Sequence, residues 1–197
     1  MHQINYRQQP QTPGLTLWFT GLPCSGKSTI ASLVHEHLRA QGLNAEILDG
    51  DVVRQHLTKG LGFSKEDRDE NIRRIGYVCH LLTRNGVVAI AAAISPYRAV
   101  RDEVRKRIGS FVEIYVDCPL EACIERDVKG MYKKALNNLL PHFTGITDPY
   151  EPPLQPEIIL KTNQETVKQS VATVIRWLEH HVLLQAETSR CASEGNN

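Results

Sequence analysis

The sequence predicts an α/β fold: a P-loop NTPase, nucleotide-kinase-like parallel sheet flanked by helices, with a lid inserted late in the chain. Three observations carry this. Apolar runs alternate with helical repeats from Leu15 onward, the pattern of a doubly wound parallel sheet. One run, residues 87–94, is apolar throughout, as a central strand buried on both faces must be. The first run leads into a glycine-bounded loop ending in Lys-Ser-Thr, the strand–loop–helix context that a phosphate loop requires.

Residues 1–14 are polar, contain Pro10 and Pro13, and read as a flexible leader. Residues 15–184 read as one domain and 185–197 as a polar tail. Leu15–Thr20 is the first strand. The first helix occupies about 26–41 and stops at Gly42, a carboxyl-terminal glycine signal. His35 and His37 on it are two apart and point to different faces, which favours solvated surface over a metal pair. A second strand, 45–48, runs into Asp49-Gly50-Asp51. Carboxylates just past the carboxyl end of a strand stand where open α/β sheets bind ligands. A short segment, 52–57, then leads to the loop Lys59-Gly60-Leu61-Gly62-Phe63-Ser64.

Ser64-Lys65-Glu66-Asp67 opens a long helix with a capping-box pattern. Ile72, Ile75, Val78, Cys79 and Leu82 recur at helical spacing and face the core. Arg68, Asn71 and Arg74 share another stripe, either a solvated face or a ligand-facing one. Phe63 stands alone among small and polar neighbours; it either staples the helix or stacks on a ligand ring. Gly86 ends the helix, and the strand 87–94 follows, leading into Ser95-Pro96-Tyr97-Arg98 at the ligand edge. Helix 100–108, strand Phe111–Asp117 and helix 120–127 come next, with Pro119 at the start of the last. Residues 129–153 differ in texture, with Lys129, Lys133, Lys134 and four prolines but few apolar repeats. A stretch of that length in a compact domain is a functional lid or disordered, and beside a nucleotide loop a lid is preferred. Strand 157–161 and an amphipathic helix, 164–184, with Val167, Val171, Val174, Ile175 and Leu178 inward, complete the domain.

The chain has 197 residues, 41% hydrophobic and 23% charged, enough for one core. A net charge of +1 argues against a general nucleic-acid or membrane-surface binder. The longest apolar run is too short to span a bilayer, and the first residues lack the apolar centre of a signal peptide. Five cysteines, Cys24, Cys79, Cys118, Cys123 and Cys191, have no zinc-like spacing. Reduced thiols in a cytoplasmic protein account for them. Cys24 is either an ordinary loop residue or a thiol activated by the helix N-terminus.

The loop Gly21-Leu22-Pro23-Cys24-Ser25-Gly26-Lys27-Ser28-Thr29 supplies the donor chemistry. Its glycines let the backbone curl so that N–H groups point inward as an anion nest. The following helix adds its positive end. Lys27 reaches the terminal phosphates of ATP and the Ser28 hydroxyl ligates Mg²⁺. Pro23 removes one N–H from the nest.

Beyond this loop the chain carries Leu48-Asp49-Gly50-Asp51-Val52-Val53-Arg54, Leu61-Gly62-Phe63-Ser64, Asp67 to Arg74, Ile94-Ser95-Pro96-Tyr97-Arg98, Arg126 to Lys134 and Phe143 to Glu151. Together and in this order they resemble the adenylylsulfate kinase family, over about residues 15–162. The resemblance implies transfer of the γ-phosphate of ATP to the 3′-hydroxyl of adenylyl sulfate. It implies an acceptor pocket of Asp51, Arg54, Phe63, Arg68, Asn71, Ile94, Ser95, Lys129, His142 and Phe143. It implies catalytic roles for Lys27, Asp51, Ser95 and Lys129, Mg²⁺ at Ser28 and Asp51, and Arg126 against the ATP adenine. A homodimer, and a non-covalent link to a sulfate adenylyltransferase, are further implications. Phe63 and Phe143 would sandwich the acceptor adenine, and Arg54, Arg68 and Asn71 suit its anionic phosphosulfate. Ser95 reads as a pocket residue rather than a covalent relay, since no adjacent base is evident in the sequence. Val52 stands where the family usually has Asn. The alternatives are another small-molecule P-loop kinase and a non-catalytic nucleotide-binding subunit.

Overall fold

The structure, a computed structural model, describes residues 14–183. The expected leader up to residue 13, the tail and Cys191 lie outside the described residues. Five strands, β1 (Leu15–Thr20), β2 (Ala45–Asp49), β3 (Val88–Ala92), β4 (Phe111–Asp117) and β5 (Ile158–Lys161), form one sheet in the order β2-β3-β1-β4-β5. Every pairing is parallel. The helices are α1 (Lys27–Ala40), α2 (Gly50–His56), α3 (Lys65–Arg84), α4 (Arg98–Ile108), α5 (Leu120–Arg126), α6 (Met131–Leu136) and α7 (Val167–Leu178). The expected parallel α/β architecture is borne out.

Alternation along the strands builds two cores. Leu17, Phe19, Val112, Ile114 and Val116 join Ile30, Val34 and Val174 of α1 and α7 on one face. Trp18, Ala89 and Ala91 join Ile72, Ile75, Val100 and Val104 of α3 and α4 on the other. A strand with layers on both sides has no solvated face, hence the unbroken apolar run. Helices α3 and α4 approach closely at Gly76: a Cβ there would lie 2.6 Å from Val104 Cγ2. All five strands end on one edge, and the phosphate loop, Asp49 and the Ser95 turn all leave from it.

Several details differ from the sequence reading. Strand β3 stops at Ala92, although Ala93 N–H still donates to the Phe19 carbonyl of β1 at 3.2 Å. Helix α7 ends at Leu178 and passes into a turn of π-helix, Glu179–Leu183. Val167, expected inward, is exposed, since it is the first helical residue after the Thr166 cap and precedes the packed face. The stretch 129–153 also has more structure than a bare loop. It contains α6, and Tyr132, Ala135 and Phe143 pack with Cys118 and Cys123 in a third core, with Leu22 and Cys24 of the phosphate loop against it.

Candidate active site

The phosphate loop bridges β1 and α1. Gly21 sits at φ +152° and Gly26 at φ +107°, where a side chain would be strained; a Cβ on Gly21 would also approach the Val116 carbonyl oxygen to 2.6 Å. Cys24 adopts φ +59° without being glycine. Lys27 is buried, its Nζ donating to the carbonyls of Gly21 (3.0 Å) and Leu22 (2.7 Å) and reaching Ser25 Oγ at 3.4 Å. Burial lowers its pKa to about 8, against the pull of Cys123, Cys24, Asp49 and Asp51. Ser28 and Thr29 are exposed on the first turn of α1. Arg126 flanks the loop: its Nη1 donates to the Ser25 carbonyl and Thr162 Oγ1, both at 3.3 Å, and its Nη2 to the Thr162 carbonyl at 2.5 Å. Pro23, short of an N–H, offers its carbonyl to the Tyr132 hydroxyl at 3.1 Å, which fastens α6 over the loop.

The two carboxylates after β2 take different partners. Asp49 Oδ2 accepts the Ser28 hydroxyl at 2.5 Å, and Asp49 Oδ1 accepts the Asp51 N–H at 3.0 Å, capping α2. Asp51 instead pairs with Lys129 Nζ. Sequence reasoning gave Asp51 the metal role beside Ser28; the structure brings Asp49 to that hydroxyl. The signal for Asp49 was present in its position at the end of the strand, next to Asp51. Among the described residues no three His, Cys, Asp or Glu side chains converge on a metal position. A hydroxyl and a carboxylate beside a phosphate loop are nevertheless the hard oxygen donors that suit Mg²⁺, which keeps waters and takes phosphate oxygens. The donor set therefore fits that ion. The Asp51–Lys129 pair has both side chains about two-thirds exposed, at 67% and 63%, so solvent leaves it weak.

A second group of side chains comes from α2, the start of α3 and the stretch 129–153. Phe63, half-exposed, has the Arg54 guanidinium 4.5 Å from its ring centroid and that of Arg68 at 5.6 Å. The residue, 47% exposed, also shows a face to solvent. Arg54 Nη1 donates to the Gly62 carbonyl at 3.2 Å. Arg68 is buried; Nε donates to the Phe63 carbonyl at 2.9 Å, Nη2 donates to the His142 carbonyl, and Asp148 Oδ2 lies 3.6 Å from Nη2. This one side chain draws the Phe63 loop and residues 142–148 together. Burial lowers the Arg68 pKa, opposed by Asp148. Asn71 is buried and accepts from Thr58 Oγ1 at 2.8 Å. The charged stripe of α3 therefore divides. Arg68 and Asn71 face inward, while Arg74 pairs with Glu70 and Arg73 with Glu103 on the surface. His142, at φ +57°, is mostly exposed, with Nδ1 3.5 Å from Asp148 Oδ1. The two aromatics are unequal: Phe143 is buried, edge-on to Tyr132 at 4.9 Å.

Ser95 lies in the turn between β3 and α4, 1% exposed; with Ile94 it forms the floor beside the phosphate loop. Its Oγ accepts the Trp18 indole N–H at 3.1 Å and donates at most to the Ala93 carbonyl, 3.5 Å away. No base touches it, so nothing in its surroundings activates it as a nucleophile. Ile94, half-buried, presents its carbonyl to the Gly21 N–H at 3.4 Å and to Thr20 Oγ1 at 2.8 Å, joining the floor to the phosphate loop.

A family model described as adenylylsulphate kinase matches residues 13–161. The chain is 60% identical over 166 residues to the adenylyl-sulfate kinase of Synechococcus sp. (strain JA-2-3B'a(2-13)), covering 84% of this chain and 95% of that one. To the adenylyl-sulfate kinase of Rippkaea orientalis (strain PCC 8801 / RF-1) it is 59% identical over 166 residues, covering 84% and 92%. Among solved structures it is similar to the Mycobacterium tuberculosis APS kinase CysC in complex with AMPPNP and APS. The TM-score is 0.80 at 42% identity, over 85% of this chain and 98% of that one.

Proposed function

The chain belongs to the adenylylsulphate kinase family, and from that premise we propose how its residues divide the work of a two-nucleotide site. The enzyme phosphorylates adenylyl sulfate at the expense of ATP, giving 3′-phosphoadenylyl sulfate and ADP. The observation that carries the residue assignment is the Ile94 carbonyl, which accepts the Gly21 N–H of the phosphate loop and the Thr20 hydroxyl and so bonds the turn after β3 to that loop. Donor and acceptor halves therefore share a backbone seam.

ATP binds with its phosphates in the nest of residues 21–29, and Lys27 leaves its carbonyl partners to neutralise the transferring phosphoryl group. Arg126 borders the adenine. Ser28 and Asp49, with Asp51 through water, would hold Mg²⁺, which offsets phosphate charge when bound. The acceptor adenine stacks on the open face of Phe63, with Phe143 as the firmer side. Arg54, Arg68 and Asn71 receive the phosphosulfate, with Ile94, Ser95 and His142 completing the pocket. Asp51, released from Lys129, orients the 3′-hydroxyl and takes its proton, while Lys129 turns to the developing charge. Phosphoryl transfer is direct; the buried Ser95 shapes the pocket.

Homodimeric assembly, a cytoplasmic location and association with a sulfate adenylyltransferase belong to the same proposal. No helix among the described residues is long and apolar enough to cross a membrane. ADP release measured against a panel of acceptors tests the substrate: turnover is expected with adenylyl sulfate and not with sugars. Binding of ATP without formation of phosphoadenylyl sulfate would leave only a nucleotide-binding subunit.

A further inference from the structure

Arg101, on α4, has no part in the steps above, yet its side chain is only 2% exposed. Burying a guanidinium is costly unless its donors are used. Here all three nitrogens are. Nε donates to Glu113 Oε1 of β4 at 2.8 Å, Nη1 to the Ser95 carbonyl at 2.5 Å, and Nη2 to the Glu151 carbonyl at 2.7 Å. One planar fork thus joins the sheet, the turn after β3 and the final residues of the lid.

Both carbonyls belong to backbone that needs holding. Ser95 is a non-glycine residue at φ +49°, a conformation costing on the order of 1 kcal/mol or more. Ile94 beside it carries the seam to the phosphate loop. Glu151 is fastened on its other sides too. Its N–H donates to the Pro96 carbonyl at 2.8 Å, and its Oε2 accepts the Arg98 N–H at 2.8 Å. The neighbouring Tyr150 hydroxyl lies 2.9 Å from Thr20 Oγ1. The leading limb of the stretch 129–153 is held elsewhere, by the third core, the Tyr132 hydroxyl and the exposed Lys129–Asp51 pair.

We infer that Arg101 is a positioning residue for the acceptor, locking the Ile94–Ser95 floor and the return limb of the lid into one rigid body. The inference rests on the assignment of that floor to the adenylyl sulfate pocket. Lysine cannot replace the fork: a single ammonium on a flexible stem cannot hold a carboxylate and two separated carbonyls in one plane.

The experiment is steady-state kinetics of Arg101→Lys with both substrates varied, beside wild type and thermal melts of each. The expected result is a KM for adenylyl sulfate about tenfold higher, with the KM for ATP within about twofold. A residue that only supported the fold would lower the active fraction, reducing kcat with both KM values unchanged. That outcome, or a parallel rise in both KM values, overturns the proposal. Should Arg101→Lys not fold, Glu113→Gln loosens the fork at its anchor. It is expected to raise the adenylyl sulfate KM selectively by about threefold, and an unchanged value there overturns the proposal. A wild-type chain inactive toward adenylyl sulfate would instead remove the pocket assignment itself and the inference with it.

Discussion

Asp49 Oδ2 accepts the Ser28 hydroxyl at 2.5 Å, tying the carboxyl end of β2 to the first turn of α1. The two residues come from different strand–helix units and meet where a magnesium–triphosphate complex would sit. Replacing Asp49 by Asn is therefore expected to lower metal affinity by about 10–100-fold. Titrating kcat against Mg²⁺ checks this. A wild-type Mg²⁺ profile in Asp49→Asn would move the metal seat elsewhere.

Lys27 couples nucleotide binding to pH. Burial depresses its pKa to about 8, and phosphates of a bound nucleotide raise it again. Above pH 8 the free enzyme carries a neutral Lys27, so binding must take up a proton. The Kd for ADP is expected to be flat below pH 8 and to rise with pH above it. Calorimetry in buffers of differing ionisation enthalpy reads the proton uptake directly, and it should vanish in Lys27→Met.

The aromatic pair separates binding from folding. Phe63 is 47% exposed and Phe143 8%. Phe63→Ala should change stability by less than about 0.5 kcal/mol while weakening adenylyl sulfate binding by about 1–3 kcal/mol. Phe143→Ala removes a ring from the third core and should cost about 3–5 kcal/mol of stability. Urea unfolding beside ligand titration distinguishes them.

Tyr132 fastens α6 to the phosphate loop through the Pro23 carbonyl. Removing that hydroxyl in Tyr132→Phe leaves the ring packed and should cost about 1 kcal/mol. The expected consequence is faster proteolysis around residues 128–142 without loss of the sheet. Unchanged cleavage there would show that the hydroxyl does not fasten the lid.

Much of the architecture was legible because it is local. Strand β1, the glycine loop and α1 follow from adjacent residues, and the Ser64 cap of α3 appears as expected, accepting the Asp67 N–H at 3.1 Å. What escaped the sequence depends on contacts distant along the chain. Nothing near Arg101 announces that it will bond to Ser95, Glu113 and Glu151. The choice between Asp49 and Asp51 turns on a capping geometry that fixes one carboxylate toward α1 and leaves the other to Lys129. Likewise, Tyr132 and Phe143 are too widely spaced in sequence to reveal the core they share.

The parallel pairing of β1 with β3 carries a consequence for the spacing of the site. Neighbouring strands lie about 4.8 Å apart, and here one ends in the phosphate loop and the other in the Ile94–Ser95 turn proposed as the acceptor floor. The spacing of these two backbone supports is thus inherited from the sheet. Substitutions in residues 129–153 leave that spacing alone; altering it means breaking the bonds at the Ile94 carbonyl.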